Sequence, residues 1–325
     1  ALFRNRLEFT AEWYKNTSED LLYAVPVPEQ AGVSNTTVTM NAASMNNSGF
    51  EFSATYRNRD HDFKYEVSAN LSTLRNRVTS LGFGTDSYIS GSYITKVGQE
   101  IGQFYGWVYE GIARTQEDLD NHATQEGAQI GDCLYKDVNN DGKVDSEDQV
   151  VLGSGMPKIN FGLNARFEYK RFDLSIATFG ALNYHVSDDI YNSLNSCYGW
   201  GNKEVGMLEA NRFSEDGSTY LSNVPRTYVT NSASLGWNDL FSSRKIQNAA
   251  YWKIANVELG YNFPDKWFGK YVSDVRFYVS AQNLHTFTGY HGYNVDYAGG
   301  TFTPGYNFCS YPTARTFMCG VHFTF

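Results

Sequence analysis

Hydrophobic and polar residues alternate one for one along much of this chain. The run TFMCGVHFTF at 316–325 shows it plainly. Phe317, Cys319, Val321, Phe323 and Phe325 share one parity; Thr316, Met318, Gly320, His322 and Thr324 share the other. A period of two marks a strand whose two sides meet different surroundings. Taken alone, such a strand would suit a soluble sandwich.

The pattern recurs. Leu7, Phe9, Ala11 and Trp13 oppose Arg6, Glu8, Thr10 and Glu12. Phe50, Phe52, Ala54 and Tyr56 oppose Glu51, Ser53, Thr55 and Arg57. The same holds for Phe63–Leu71, Ile159–Phe167, Val257–Tyr261 and Val275–Ala281. Less regular strands are predicted near 88–97, 102–112 and 172–182. The reading is all-β and antiparallel, with about ten strands of roughly ten residues, the length that crosses a bilayer when tilted.

Connection lengths add to this. Short ones are predicted near 57–62, 97–101, 169–171 and 263–274, and long ones near 15–40, 75–87, 113–157, 183–249 and 286–312. Short and long alternate, as in outer-membrane barrels with short periplasmic turns and long external loops. In hydrocarbon every backbone polar group needs a partner, so spanning strands must close into a barrel. The apolar parity then faces lipid, and the polar parity faces a wet lumen or a plug. Trp13, Tyr14, Tyr251, Trp252, Tyr261 and Trp267 suit interfacial girdles. Thr115 and Asp118 have capping-box spacing for a short loop helix, and 203–213 offers a second.

Composition agrees. The chain of 325 residues carries 24 Tyr and 22 Phe, and no run of apolar residues is long enough for a transmembrane helix. A net charge of −9 with no basic stripe argues against nucleic acid. Cys133, Cys197, Cys309 and Cys319 lie far apart, without CxxC spacing. Parity puts Cys319 on the lipid face, unpaired; the other three fall in external loops. The opening ALFRNRLEF has no signal peptide and begins almost inside a strand, which suggests a segment of something longer.

The segment DVNNDGKVDSED at 137–148 resembles a calcium loop. Asp137, Asn139 and Asp141 would offer side-chain oxygens to Ca²⁺. Lys143 would offer its carbonyl, Asp145 a direct or water-mediated contact, and Asp148 the closing carboxylate. Asp at the last position is one methylene shorter than the usual Glu. The expected role is structural, stiffening an external loop. No catalytic residues are assigned, because the six His are scattered and no nucleophile motif occurs.

Five stretches carry a family resemblance: NNSGFEFSATYRNR (46–59), VGQEIGQFYGWVYEGIARTQEDL (97–119), GDCLYKDVNNDGKVDSEDQVVLGSGMPKINFGLN (131–164), YWKIANVELGYNFP (251–264) with VRFYVSAQNLHTFTGYHGYNVD (275–296), and YPTARTFMCGVHFTF (311–325). Together they resemble the C-terminal barrel portion of a SusC/RagA-family TonB-dependent outer-membrane transporter. The resemblance implies that residues 1–325 form part of a barrel of about 22 strands in the outer membrane of a Gram-negative bacterium. It implies a SusD-like surface lipoprotein as lid, TonB acting through a plug, and oligosaccharides or peptides as cargo. Plug and N-terminal strands are absent from these residues and are expected elsewhere. The terminal Phe would belong to an assembly signal. A soluble secreted carbohydrate-binding β protein, and a barrel enzyme or adhesin, are the alternatives. Tyr191, Tyr198, Trp200 and Trp237, in the longest loop, could stack on cargo or pack within the loop.

Overall fold

In the computed structural model the apolar parity continues from strand to strand. The residues described are all except 1, 4–5, 27–36, 83, 198–200, 228–235, 265–266, 268–271, 273, 297–298 and 325. Phe325, Tyr198 and Trp200 therefore lie outside the described residues. Eight strands form a continuous antiparallel wall in the order β1-β2-β3-β11-β12-β15-β16-β20. They are β1 (Leu7–Pro26), β2 (Thr37–Asn58), β3 (Phe63–Thr73), β11 (Ile159–Tyr169), β12 (Phe172–Leu182), β15 (Tyr251–Asn262), β16 (Asp274–Thr288) and β20 (Thr316–Thr324). A ninth strand, β4 (Arg75–Ser80), pairs with the outer part of β2. Within the described residues the sheet is open, with β1 and β20 at its edges.

Register explains the face. Ala11, Phe52, Leu71, Phe161, Gly180, Trp252 and Phe287 lie side by side across seven strands. A second row, nearer the short turns, runs Phe63, Tyr169, Phe172, Tyr261, Phe277 and Val321. The two rows are eight residues apart on β11, or about 27 Å along the strand, close to the ~25 Å apolar band of an outer-membrane barrel. Large apolar side chains on this face are exposed, among them Phe9, Phe50, Phe63, Leu163, Leu259, Val279 and Phe317. So many exposed apolar groups on one face mark a surface built for a non-aqueous neighbour. Aromatic rings gather at the short-turn end: Phe63 stacks on Phe167, and Phe172 meets Tyr261 at 4.8 Å. Tyr14 does not join a girdle. It lies on the polar parity, its hydroxyl donating to the Thr73 carbonyl.

Three connections differ from the sequence reading. Residues 15–40 are not one long loop, because β1 runs to Pro26 and β2 starts at Thr37. Alternation lapses beyond Trp13 because both faces there lie past the apolar band. Residues 88–97 and 102–112 are not wall strands. They form β5 (Ser87–Ser90), β6 (Tyr93–Lys96), β7 (Gln103–Gly106) and β8 (Tyr109–Ile112). Four residues span about 13 Å, too short to cross. The turn at 97–101 therefore lies inside one excursion between β3 and β11. With that correction short and long connections still alternate from β2 to β20.

The excursion has its own small sheets. β5, β6, β7 and β10 (Val150–Ser154) form one, and β8 pairs with β9 (Cys133–Tyr135). Ala43, Val78, Leu81 and Ile101 pack where it meets the wall. Thr115 caps α1 (Gln116–Asp120) with the expected capping box. In the next loop β13 (His185–Asp188) precedes α2 (Asp189–Leu194) and pairs with β14 (Gln247–Asn248). Residues 203–213 form only a short 3₁₀ turn, Val205–Glu209. In the last loop β17 (Gly299–Gly300) pairs with β18 (Thr303–Pro304), and β19 (Tyr306–Asn307) runs parallel to β13. Among the described residues no helix is long and apolar enough to cross a membrane.

Candidate functional site on the polar face of the wall

The polar parity carries the chemistry. Near the short turns it holds a ladder of ion pairs. Arg57 bonds Glu66 on β3 at 2.9 Å and Glu8 on β1 at 3.1 Å. Arg276 on β16 bonds Asp173 on β12 at 2.5 Å and Glu258 on β15 at 2.7 Å. Opposite charges on neighbouring strands favour one register over its neighbours. Each arginine bridges two carboxylates, which hold it in place on the polar face.

Nearer the long loops the face becomes a cavity. A β-bulge controls it. Ala177 pairs with Asn256 and Thr178 with Ile254, so Ala255 is the extra residue on β15. One extra residue exchanges the faces of everything beyond it. Lys253 and Val257 share parity in sequence, yet Lys253 turns to the polar face opposite Phe179. Strand β16 adjusts at Asn283, whose φ of +51° suits Asn. Lys253 is buried, and its Nζ meets Asp296 Oδ2 at 2.5 Å.

That ion pair pins the last long loop against the wall. The Tyr184 hydroxyl donates to the Val295 carbonyl at 3.0 Å. Asp188, at the start of α2, accepts from the Tyr290 hydroxyl, from Asn307 Nδ2 at 3.1 Å and from the Tyr191 backbone N–H at 2.9 Å. Burial first, and then the Asp188 carboxylate, push the Tyr290 hydroxyl above the usual tyrosine range, so it stays a donor. Gly155 lets the chain cross here: a Cβ would lie 2.0 Å from the Pro304 carbonyl oxygen. The resulting cavity, about 820 Å³, is lined among others by Asn47, Asn160, Phe179, Tyr251 and Asp296. Tyr251, expected in a girdle, instead faces this space. Phe179 carries no mark in the sequence reading, although an aromatic at polar parity in FDLSIATFGAL is a legible signal. The Lys253–Asp296 contact is not legible there, since the partners are 43 residues apart.

The 137–148 loop folds as nested turns around its own acids. Asp137 accepts from Asn140 and Gly142 N–H groups, Asn139 from Asp141, Asp141 from Lys143, and Asp145 from Glu147. Asp148 is buried and accepts from Val138, Asn139 and Asp145. Burial raises its carboxyl pKa, but the three backbone N–H donors outweigh burial and hold it below the usual range. Among the described residues no three His, Cys, Asp or Glu side chains form a group able to hold a metal ion. The Trp107 indole donates to the Asp145 carbonyl, tying this loop to its sheet.

Other candidate residues pack within the loops. Tyr191 stacks on His291, and Trp237 packs on Tyr135 while donating to the Glu126 carbonyl. All four cysteines are free thiols. Cys133 and Cys197 are buried; Cys319 is exposed on the apolar face opposite Val279.

No protein-family model matches the chain. Over its whole length it is 31% identical to TonB-dependent receptor P3 and 25% identical to TonB-dependent receptor P39, both of Formosa agariphila. Over 96% of its length it is 25% identical to TonB-dependent receptor SusC of Bacteroides thetaiotaomicron. The RagAB peptide transporter structure superposes with a TM-score of 0.79 at 22% identity, covering 99% of this chain and 34% of that one. The chain is thus similar over its whole length to TonB-dependent receptors, and it has the fold of part of the RagAB peptide transporter structure. It spans about a third of the length of the curated relatives it matches: 33% of P3, 34% of P39 and 29% of SusC. The relatives bear the names of receptors, and the superposed structure that of a transporter, rather than of enzymes.

Proposed function

We propose that this chain forms part of the wall of a TonB-dependent importer in the outer membrane of a Gram-negative bacterium. The carrying observation is the wall itself: eight strands keep the large exposed rings and branched chains of the central band on one face, Phe179 excepted, and ion pairs and amides on the other. The apolar face meets lipid, and the polar face lines the route of an oligosaccharide or peptide. The protein does no chemistry on its cargo. Plug and remaining strands come from polypeptide outside these residues, and they pair with the open edges β1 and β20. TonB acts through the plug, and a SusD-like surface lipoprotein closes the external mouth. Part of the same proposal is that Ca²⁺ gathers Asp137, Asn139, Asp141, Lys143, Asp145 and Asp148 out of the separate turns they now cap, which stiffens the loop.

Deleting the gene tests the reading. Energy-dependent uptake of one nutrient class should fail, and the purified protein should need detergent and turn over nothing. A protein fully dispersed without surfactant would overturn it.

A further inference from the structure

Just beyond the apolar band, on the long-loop side, the outward face of the wall turns basic. Lys15 on β1, Ser48 on β2 and Arg75 on β4 form one cross-strand row, and Thr17, Asn46 and Arg77 form the next. Lys15 shares parity with Phe9, Ala11 and Trp13. Arg75 and Arg77 are exposed, while Asn76 and Val78 are buried on the other side of β4. All three cations therefore point the way the apolar side chains point. No acid is paired with them among the described residues: the ion pairs of β1 and β2, Arg6–Asp60 and Arg57–Glu8, lie at the short-turn end. Glu12 and Glu51 are on the polar face, and Glu19 and Asp20 follow at a bulge farther from the band. In a chain of net charge −9, three uncompensated cations in two adjacent rows form a site for an anion.

The same strands carry a hollow directly below. Passing from the cations toward the short turns, the rows are Trp13–Phe50, then Ala11–Phe52–Leu71–Phe161, then Phe9–Ala54–Ala69–Leu163. Ala54 and Ala69 are register partners, and two methyl groups among rings leave a groove of about 530 Å³. Phe9, Phe52, Phe161 and Leu163 stand around it. In a bilayer such a groove is filled by hydrocarbon, because an empty one forfeits dispersion contacts on every side. Ser48 and Ala54 are six residues apart, about 20 Å along the strand. Strand tilt makes that about 15 Å of depth, which sets the cations at headgroup height over the outer half of the band.

The occupant must therefore carry negative charge at the membrane surface and an apolar chain beneath it. We infer that this face holds a phosphorylated glycolipid of the outer leaflet, its phosphates on Lys15, Arg75 and Arg77 and one acyl chain in the groove over Ala54 and Ala69. Arginine forks grip phosphate oxygens in pairs, and lysine adds a point charge. Two charged rows about 7 Å apart suit a head with more than one phosphate, and the Ser48 hydroxyl lies between Lys15 and Arg75 for a sugar hydroxyl. The inference rests on the importer reading, which turns this face to lipid and the long loops outward.

The test uses the full-length receptor, delipidated in detergent. Bis-phosphorylated lipid A, its dephosphorylated form and phosphatidylglycerol are titrated in turn, and native mass spectrometry counts the lipid retained. Bis-phosphorylated lipid A should bind most tightly. Arg75→Ser with Arg77→Ser should weaken it by about tenfold, and Ala69→Trp, which fills the groove, by about threefold. Lys136→Ser, in an external loop, should leave it unchanged. Heat-modifiable migration confirms that each variant has assembled. Equal binding of the dephosphorylated form, tighter binding of phosphatidylglycerol, or unchanged affinity in the double arginine variant overturns the glycolipid site. The two lipid comparisons need no variant at all. Energy-dependent uptake reports separately on the importer reading, which stands if the parent imports its cargo without binding glycolipid and falls if deletion alters no uptake.

Discussion

Lys253 on β15 and Asp296 in the last long loop form an ion pair, Nζ to Oδ2 2.5 Å, across 43 residues of chain. The pair exists because Ala255 is inserted between two ladder positions. Without that residue Lys253 would point to the greasy face at the edge of the apolar band, away from Asp296.

Removing one partner should loosen the loop. Lys253→Met leaves Asp296 half-buried without its cation, at a cost of about 1–3 kcal/mol. Limited proteolysis should then cut within residues 289–315. Lys253→Met with Asp296→Asn should recover part of the loss, since no bare charge is left. Equal cleavage in parent and single variant would contradict the pinning role.

Neighbours on one strand should differ sharply as sites for arginine. Leu163 is exposed on the apolar face, and Asn164 is exposed on the polar one. Leu163→Arg should cost about 2–4 kcal/mol if it meets lipid near mid-depth, and Asn164→Arg far less. Urea titration of the refolded protein in lipid vesicles reads the difference. Matching losses at the two positions would remove the basis for assigning lipid to either face.

Asp148 should govern the order of residues 137–148. Asp148→Ala strips acceptors from three backbone N–H groups, at about 1–3 kcal/mol of local stability. Hydrogen exchange at Val138, Asn139 and Asp145 should speed up. The Asp148 carboxyl is held below its unfolded value, so its contribution is complete above the ordinary aspartate range. It is lost as pH falls through the lowered folded value. Exchange in this loop, expressed as protection relative to the intrinsic rate, should therefore be constant near neutrality and lose protection only in strong acid. Adding Ca²⁺ should slow it further, and Asp137→Ala should abolish that slowing; no response to Ca²⁺ in the parent protein removes the ion from the proposal.

The cysteines should sort by surroundings. Burial pushes the Cys133 thiol up to about 12 and the Cys197 thiol up to about 11, so both should resist maleimide at neutral pH in the folded protein. Cys309 should react with a water-soluble reagent. In vesicles Cys319 should react only with a membrane-soluble one, because its strand face is the apolar one. Peptide mass spectrometry reads all four, and water-soluble labelling of Cys319 in vesicles would count against the lipid face.

Much of the wall was legible beforehand. Phe50–Tyr56, Phe63–Leu71 and Ile159–Phe167 alternate because each has lipid-like and water-like sides, and a strand has no other way to present both. The excursion at 88–112 was misread for the same reason: short strands of a small loop sheet alternate too, and parity says nothing about span. Tyr14 and Tyr251 were placed by composition near strand ends, but their hydroxyls and rings belong to the polar side. The acidic spacing at 137–148 pointed to a structured loop, while the identity of each acceptor's donor emerged only from the folded turns.

Local periodicity, then, told which residues could share a face, because a strand alternates by its own geometry whatever surrounds it. It could not tell where an extra residue reverses that alternation, since Ala255 looks like any other small residue until both neighbouring ladders are in place. The cavity and its Lys253–Asp296 clasp are products of that reversal and of a distant loop folding back on the wall. Contacts between segments far apart in sequence are set by how neighbouring strands register and how the loops fold back on them, and only the tertiary structure contains them.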